Sequence, residues 1–200
     1  METIIIVGAG QAGMQCAESL RTEKFEGTIH LIGDEAFAPY QRPPLSKGFL
    51  KDEVHEDRVS FRKPDFFEKK HINLITNTRV KTIDRDQKRV ILSNGTNMSY
   101  DKLVLATGSR VRPLPNVDAS MKGLHYVRDL KDAQKLKAAM ADANNMVIVG
   151  AGFIGLEVAA VGVSQGKNVT VVERDDRVMG RVVAPVVSDF YQAFHEKQGV

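Results

Sequence analysis

The chain has 200 residues, 42% of them hydrophobic and 26% charged, with a formal net charge of +3. No apolar run approaches the roughly 20 residues needed to cross a bilayer, and Lys and Arg are scattered among acids rather than massed for nucleic acid. A single thiol, Cys16, excludes an intrachain disulfide and an iron–sulfur cluster held by this chain, and no metal site is expected.

The N-terminus enters the β-branched run Ile4-Ile5-Ile6-Val7 without a charged leader or cleavable apolar segment, so no signal peptide is read and the cytoplasm is the expected location. Residues 2–7 predict a strand, 12–23 a helix and 28–32 a second strand. Cys16 falls in that helix, where it is expected to fill an apolar gap. The segment Ala38-Pro39-Tyr40-Gln41-Arg42-Pro43-Pro44-Leu45-Ser46-Lys47 is too rich in proline for a regular helix or a central strand and predicts a shaped loop. Strands are expected at 72–75, 80–83 and 88–92, with Ser93-Asn94-Gly95-Thr96 as a hairpin turn. Residues 100–106 read as a buried strand running into Thr107-Gly108-Ser109.

Pro113, Pro115 and Gly123 punctuate a linker. A helix is expected over 129–142, a strand over 146–149, a helix over 153–165 and a strand over 168–172. The final segment predicts a helix beginning at Pro185 and capped by Gly199, with Val187, Phe190, Tyr191 and Phe194 as its apolar stripe. A mononucleotide-binding half continues into a third strand at this point, so the second unit is expected to be incomplete, with an exposed sheet edge, an exposed apolar helix face and a tendency to self-associate.

The same glycine pattern follows a strand twice: Gly8-Ala9-Gly10-Gln11-Ala12-Gly13 and Gly150-Ala151-Gly152-Phe153-Ile154-Gly155. With 16 Gly in 200 residues, one such spacing arises by chance about 0.1 times per chain, so two copies in the right context carry weight. In each, the first glycine permits the tight turn, the second lets backbone approach a pyrophosphate, and the third lets helix pack on strand. Helix N–H groups and the positive end of the helix dipole then face the phosphates. An acid follows each second strand, Asp34 or its neighbour Glu35 in the first unit and Glu173 in the second, placed to accept a ribose 2′-hydroxyl. A carboxylate there repels a 2′-phosphate and favours NAD over NADP. Arg174 beside it is the rival signal. The expected fold is α/β, with two Rossmann-like dinucleotide-binding units separated by a β-meander. Two dinucleotides on one chain imply electron transfer between them.

Four strings together resemble the FAD-dependent ferredoxin and rubredoxin reductases, glutathione-reductase-like flavoproteins of the pyridine nucleotide-disulfide oxidoreductase superfamily. They are Val7 to Gly13, Pro39 to Lys47, Ala106-Thr107-Gly108-Ser109-Arg110, and Gly150 to Glu157, the Arg-Pro-Pro-Leu-Ser-Lys run being the most specific. The resemblance covers the whole chain and about the N-terminal half of such a protein. It implies an FAD-binding domain over 1–112 (first segment) and an NAD-binding domain over 113–200, incomplete at its C-terminus.

It also implies residue roles. Arg42 would contact the FAD pyrophosphate and Lys47 would lie beside the flavin ring, paired with Glu157 facing the nicotinamide. Val80 would touch the adenine, Ala106, Thr107 and Gly108 would wall the FAD site, and Arg128 would reach the adenine end. Glu173 would hold the NAD ribose, with Arg174 and Arg181 near the adenosine end. The implied reaction is hydride transfer from NADH to the flavin, then single electrons to a ferredoxin or rubredoxin-type acceptor. Two other readings stand beside it: a nucleotide-binding fragment without activity, and an apoptosis-inducing-factor-like flavoprotein.

Overall fold

The computed structural model describes residues 1–118 and 120–200. The chain divides into two compact units, the first formed by Met1–Gln41 with Val59–Arg110, the second by Arg42–Arg58 with Val111–Val200.

In the first unit, β1 (Thr3–Val7), α1 (Gln11–Thr22) and β2 (Thr28–Ile32) form a βαβ unit. With β3 (Ile72–Ile75) and β7 (Lys102–Leu105) the strands make a parallel sheet of order β3-β2-β1-β7. The unbroken apolar run in β1 is explained by burial on both faces. Ile4 and Ile6 pack with Met14 and Ala17 of α1, while Ile5 turns to the opposite face and meets Val90 and Leu92. Those two residues come from β5 (Arg89–Leu92), the centre of an antiparallel meander with β4 (Val80–Asp84) and β6 (Asn97–Ser99). The expected turn is present, with Gly95 at φ +86°. Its second arm, β6, carries no apolar run and is absent from the sequence reading. Strand β7 differs from the buried strand expected over 100–106. It starts only at Lys102, because the Tyr100 amide is engaged by the Lys88 carbonyl, and Leu105 is 59% exposed at the sheet edge.

Two short helices, α2 (Glu56–Val59) and α3 (Phe66–Lys69), lie in the stretch between β2 and β3. Proline also acts as expected against a long element, although Pro43–Ser46 closes one 3-10 turn with the prolines at its first two positions, where they lack no needed donor.

In the second unit, β8 (Asn145–Val149) and β9 (Asn168–Val172) pair in parallel around α5 (Phe153–Ser164), preceded by α4 (Leu130–Asp142). Gly162 is where α5 comes closest: a Cβ there would lie 2.8 Å from Val169 and 3.1 Å from Met146. The other sheet face presents Val147 and Val149, both more than half exposed. The last helix, α6 (Pro185–Lys197), begins on Pro185 and is followed by Gly199 at φ +99°. Its aromatic stripe faces outward. Phe190 and Phe194 stack at 6.1 Å and are exposed, whereas Val187 is half-buried and Ser188 is the residue the helix buries. No helix among the described residues is long and apolar enough to cross a membrane.

Candidate functional site

Each unit carries a cradle at the carboxyl end of its parallel strands. In the first, β1 lies between β2 and β7, the point where strand order reverses and where open parallel sheets receive ligands. Gly8 leaves β1 at φ +114°, and a Cβ on it would lie 2.1 Å from the Ala106 carbonyl oxygen. The turn therefore excludes a side chain twice, by conformation and by the close approach of the chain leaving β7. A Cβ on Gly13 would lie 1.9 Å from the Gly8 oxygen, so this glycine seats α1 against the turn. Gly10 is different: it is extended backbone at φ −93°, and a Cβ there meets nothing within 4 Å. That open space lies at the N-terminus of α1, beside exposed Gln11 and Ala12, and it fits an anionic group.

The second cradle repeats this division of labour. Gly150 turns at φ +106°, a Cβ on Gly155 would sit 2.0 Å from the Gly150 oxygen, and Gly152 opens on empty space. Phe153 and Ile154 are half exposed beside it. The two cradle helices, α1 and α5, thus both begin on glycines without a side-chain cap.

The acids behave unequally. Asp34 bonds Arg79 at 2.5 Å, and Glu35 accepts a short hydrogen bond from the Tyr40 hydroxyl. Glu173 accepts from the amides of Ala151 at 2.7 Å, Arg174 at 2.7 Å and Asp175 at 3.1 Å. These backbone donors, Asp175 foremost and then Ala151, hold its carboxyl below the usual carboxylate range. A carboxylate fixed on the second cradle's own loop keeps about one acceptor position, on Oε2, for a further donor, since its two oxygens offer about four and three are taken.

The 42–58 segment brings three of the other residues of interest to the second unit. Lys47 Nζ lies 2.8 Å from Glu157 Oε2, and the buried Ser46 hydroxyl donates to the same oxygen at 2.5 Å. Arg42 donates to the Arg128 carbonyl at 2.6 Å. The segment is anchored around this cluster by Gln165 on the Leu50 carbonyl at 2.9 Å, and by Lys137, which pairs with Asp52 and lies 5.1 Å over the Phe49 ring. Ala106 lies against Gly8, Gly108 turns at φ +66°, and Val80 opens β4. Arg174 and Arg181 both approach Asp175. Sequence reasoning passed over Ser46 and Asp175. Both stand within two residues of a residue it did single out, so a search for short polar neighbours of Lys47 and Glu173 would have reached them. Cys16 is half-buried against the α1 core, and burial pushes its thiol up.

Comparison with known proteins adds the context. A family profile described as pyridine nucleotide-disulphide oxidoreductase matches residues 2–200. Rhodocoxin reductase of Rhodococcus erythropolis is 45% identical over 99% of this chain and 46% of its own length. A rubredoxin-NAD(+) reductase of Pseudomonas putida is 40% identical over 98% of this chain and 51% of its own. The crystal structure of a covalent putidaredoxin reductase–putidaredoxin complex matches with a TM-score of 0.95 at 41% identity, over 100% of this chain and 48% of that one. The chain therefore spans about half the length of the curated relatives it matches.

Proposed function

Because the chain belongs to the pyridine nucleotide-disulphide oxidoreductase family, we propose that its two cradles hold different dinucleotides, FAD at the first and NADH at the second. The protein is then a reductase passing electrons from NADH to a ferredoxin or rubredoxin-type carrier, working in the cytoplasm. The observation that carries this reading is the duplicated cradle, with Gly10 and Gly152 each open to a ligand at a helix N-terminus. In chain order the FAD-binding part is assigned to 1–112 and the NAD-binding part to 113–200.

Bound FAD would supply the exchange between the two-electron chemistry of a nicotinamide and a one-electron carrier. The chain's own residues bind and orient. Gly8, Gly10, Gln11, Ala12 and Gly13 with Asp34 or Glu35, Arg42, Val80, Ala106 to Gly108 and Arg128 are assigned to FAD. Gly150, Gly152, Phe153, Ile154 and Gly155 with Glu173, Arg174 and Arg181 are assigned to NADH. Lys47 and Glu157 are assigned to the reacting ends, where Ser46 and Lys47 both hold the Oε2 oxygen of the Glu157 carboxylate. A fixed ammonium favours negative charge arriving nearby without reorganising during the reaction.

Anaerobic mixing of FAD-loaded protein with NADH tests the proposal. Bleaching of the flavin's visible absorbance is expected, with NADH preferred to NADPH by about tenfold or more. Lys47→Ala is expected to slow bleaching about tenfold at saturating NADH with folding unchanged. Binding of both dinucleotides without bleaching would leave a nucleotide-binding fragment and overturn the reductase reading.

A further inference from the structure

Pro43 and Pro44 open the 3-10 turn that Ser46 ends, and their fixed φ leaves the serine little freedom of direction. The segment is tied to α5 at two places. Ser46 meets Glu157 in the body of the helix, and Gln165 at its C-terminal end donates to the Leu50 carbonyl at 2.9 Å. Leu156 and Val158 are buried on either side of Glu157 and fix the rotation of α5 about its axis. What remains free at Glu157 is its own side-chain torsions.

The two donors on that side chain are unequal. The Lys47 ammonium ends a flexible four-carbon stem, its side chain is 51% exposed, and it also donates to the Pro43 carbonyl at 3.2 Å. An ion pair so open fixes little. Ser46 is 5% exposed, and among the described residues Glu157 is the partner of its short, stiffly mounted hydroxyl. Both bonds end on Oε2 and fill its share of about two acceptor positions, whereas Oε1 takes no donor among the described residues.

We propose that Ser46 is a positioning residue of the nicotinamide site: its hydroxyl sets the Glu157 carboxylate so that Oε2 is held and Oε1 is presented to an N–H of the ligand's carboxamide. The inference rests on the reading of Glu157 as facing the nicotinamide. A neutral donor holds the carboxylate without cancelling its charge. Lys47 can therefore turn toward negative charge arriving nearby while Glu157 stays in place.

The test is calorimetric titration of the FAD-loaded protein with NAD+ and with ADP-ribose, which lacks the nicotinamide; neither reduces the flavin. Ser46→Ala leaves a hydroxyl-sized gap, and Glu157, 28% exposed, keeps Lys47 and water, so the variant folds. Its affinity for NAD+ is expected to fall about five- to tenfold, and for ADP-ribose less than about twofold. Ser46→Thr, which keeps the hydroxyl, should recover most of the loss, and Lys47→Ala should cost less than Ser46→Ala. In a Glu157→Ala background Ser46→Ala should cost nothing further, because the serine acts through that carboxylate. Unchanged NAD+ affinity in Ser46→Ala, an equal loss of both ligands, the same loss without Glu157, or a larger loss from Lys47→Ala overturns the role of Ser46 alone. Unchanged NAD+ affinity in Glu157→Ala overturns the placement of Glu157 at the nicotinamide, and the inference with it.

Discussion

Arg21 shows how much a single side chain can organise without touching a ligand. Its guanidinium donates to four backbone carbonyls: Phe25 at 2.5 Å, Gly27 at 2.9 Å, Lys70 at 2.9 Å and His71 at 2.7 Å. These carbonyls belong to the turn between α1 and β2 and to the residues entering β3, so one charge ties the entry of β2 to the entry of β3. Arg21→Ala leaves the two part-buried acceptors, Phe25 and Gly27, unpaired and is expected to cost about 2–3 kcal/mol, read as a lower urea midpoint with an unchanged slope. Arg21→Lys should recover little, because an ammonium cannot span four acceptors as a planar fork does. At this scale the sequence is least legible. An arginine at the C-terminal end of a helix suits the dipole, and nothing local separates a solvated one from one that clamps distant carbonyls. Ser46 is similar: its place beside Lys47 is visible, but its bond to Glu157, 111 residues away, is a tertiary fact.

Elements were far more legible, because their signals are local. The β-branched runs of β1, β2, β8 and β9 and the glycines that end β1 and β8 located both βαβ units within about two residues. The start of α4 was legible for the same reason. The Asp129 carboxylate accepts from the Asp132 amide at 2.8 Å while the Asp132 carboxylate accepts from the Asp129 amide at 3.4 Å, closing a reciprocal cap. Asp129→Ala is expected to lower stability by about 1 kcal/mol and Asp129→Asn by less, measured by chemical denaturation. Strand β6 was missed because Asn97-Met98-Ser99 has no apolar alternation and exists by pairing with β5. The edge position of Leu105 was missed because a short apolar run does not say how many faces are covered.

At the scale of the whole molecule, duplication was the legible feature and the route of the chain was not. A linear reading places residues 42–58 with the first fingerprint, whereas these residues pack with the second unit, through Lys137 and Gln165 among others. Loop composition forecasts irregularity, not destination. The duplicated cradle supplies the most direct test of the account, because Gly10 and Gly152 have ordinary extended backbone and no neighbour within 4 Å of a Cβ. Gly10→Val and Gly152→Val should therefore fold while filling the space assigned to a pyrophosphate. Binding of FAD and of NADH to each variant is the measurement. One dinucleotide per cradle predicts that Gly10→Val weakens FAD about a hundredfold and spares NADH, and that Gly152→Val does the reverse. Loss of both ligands in either folded variant, or of neither, would contradict it.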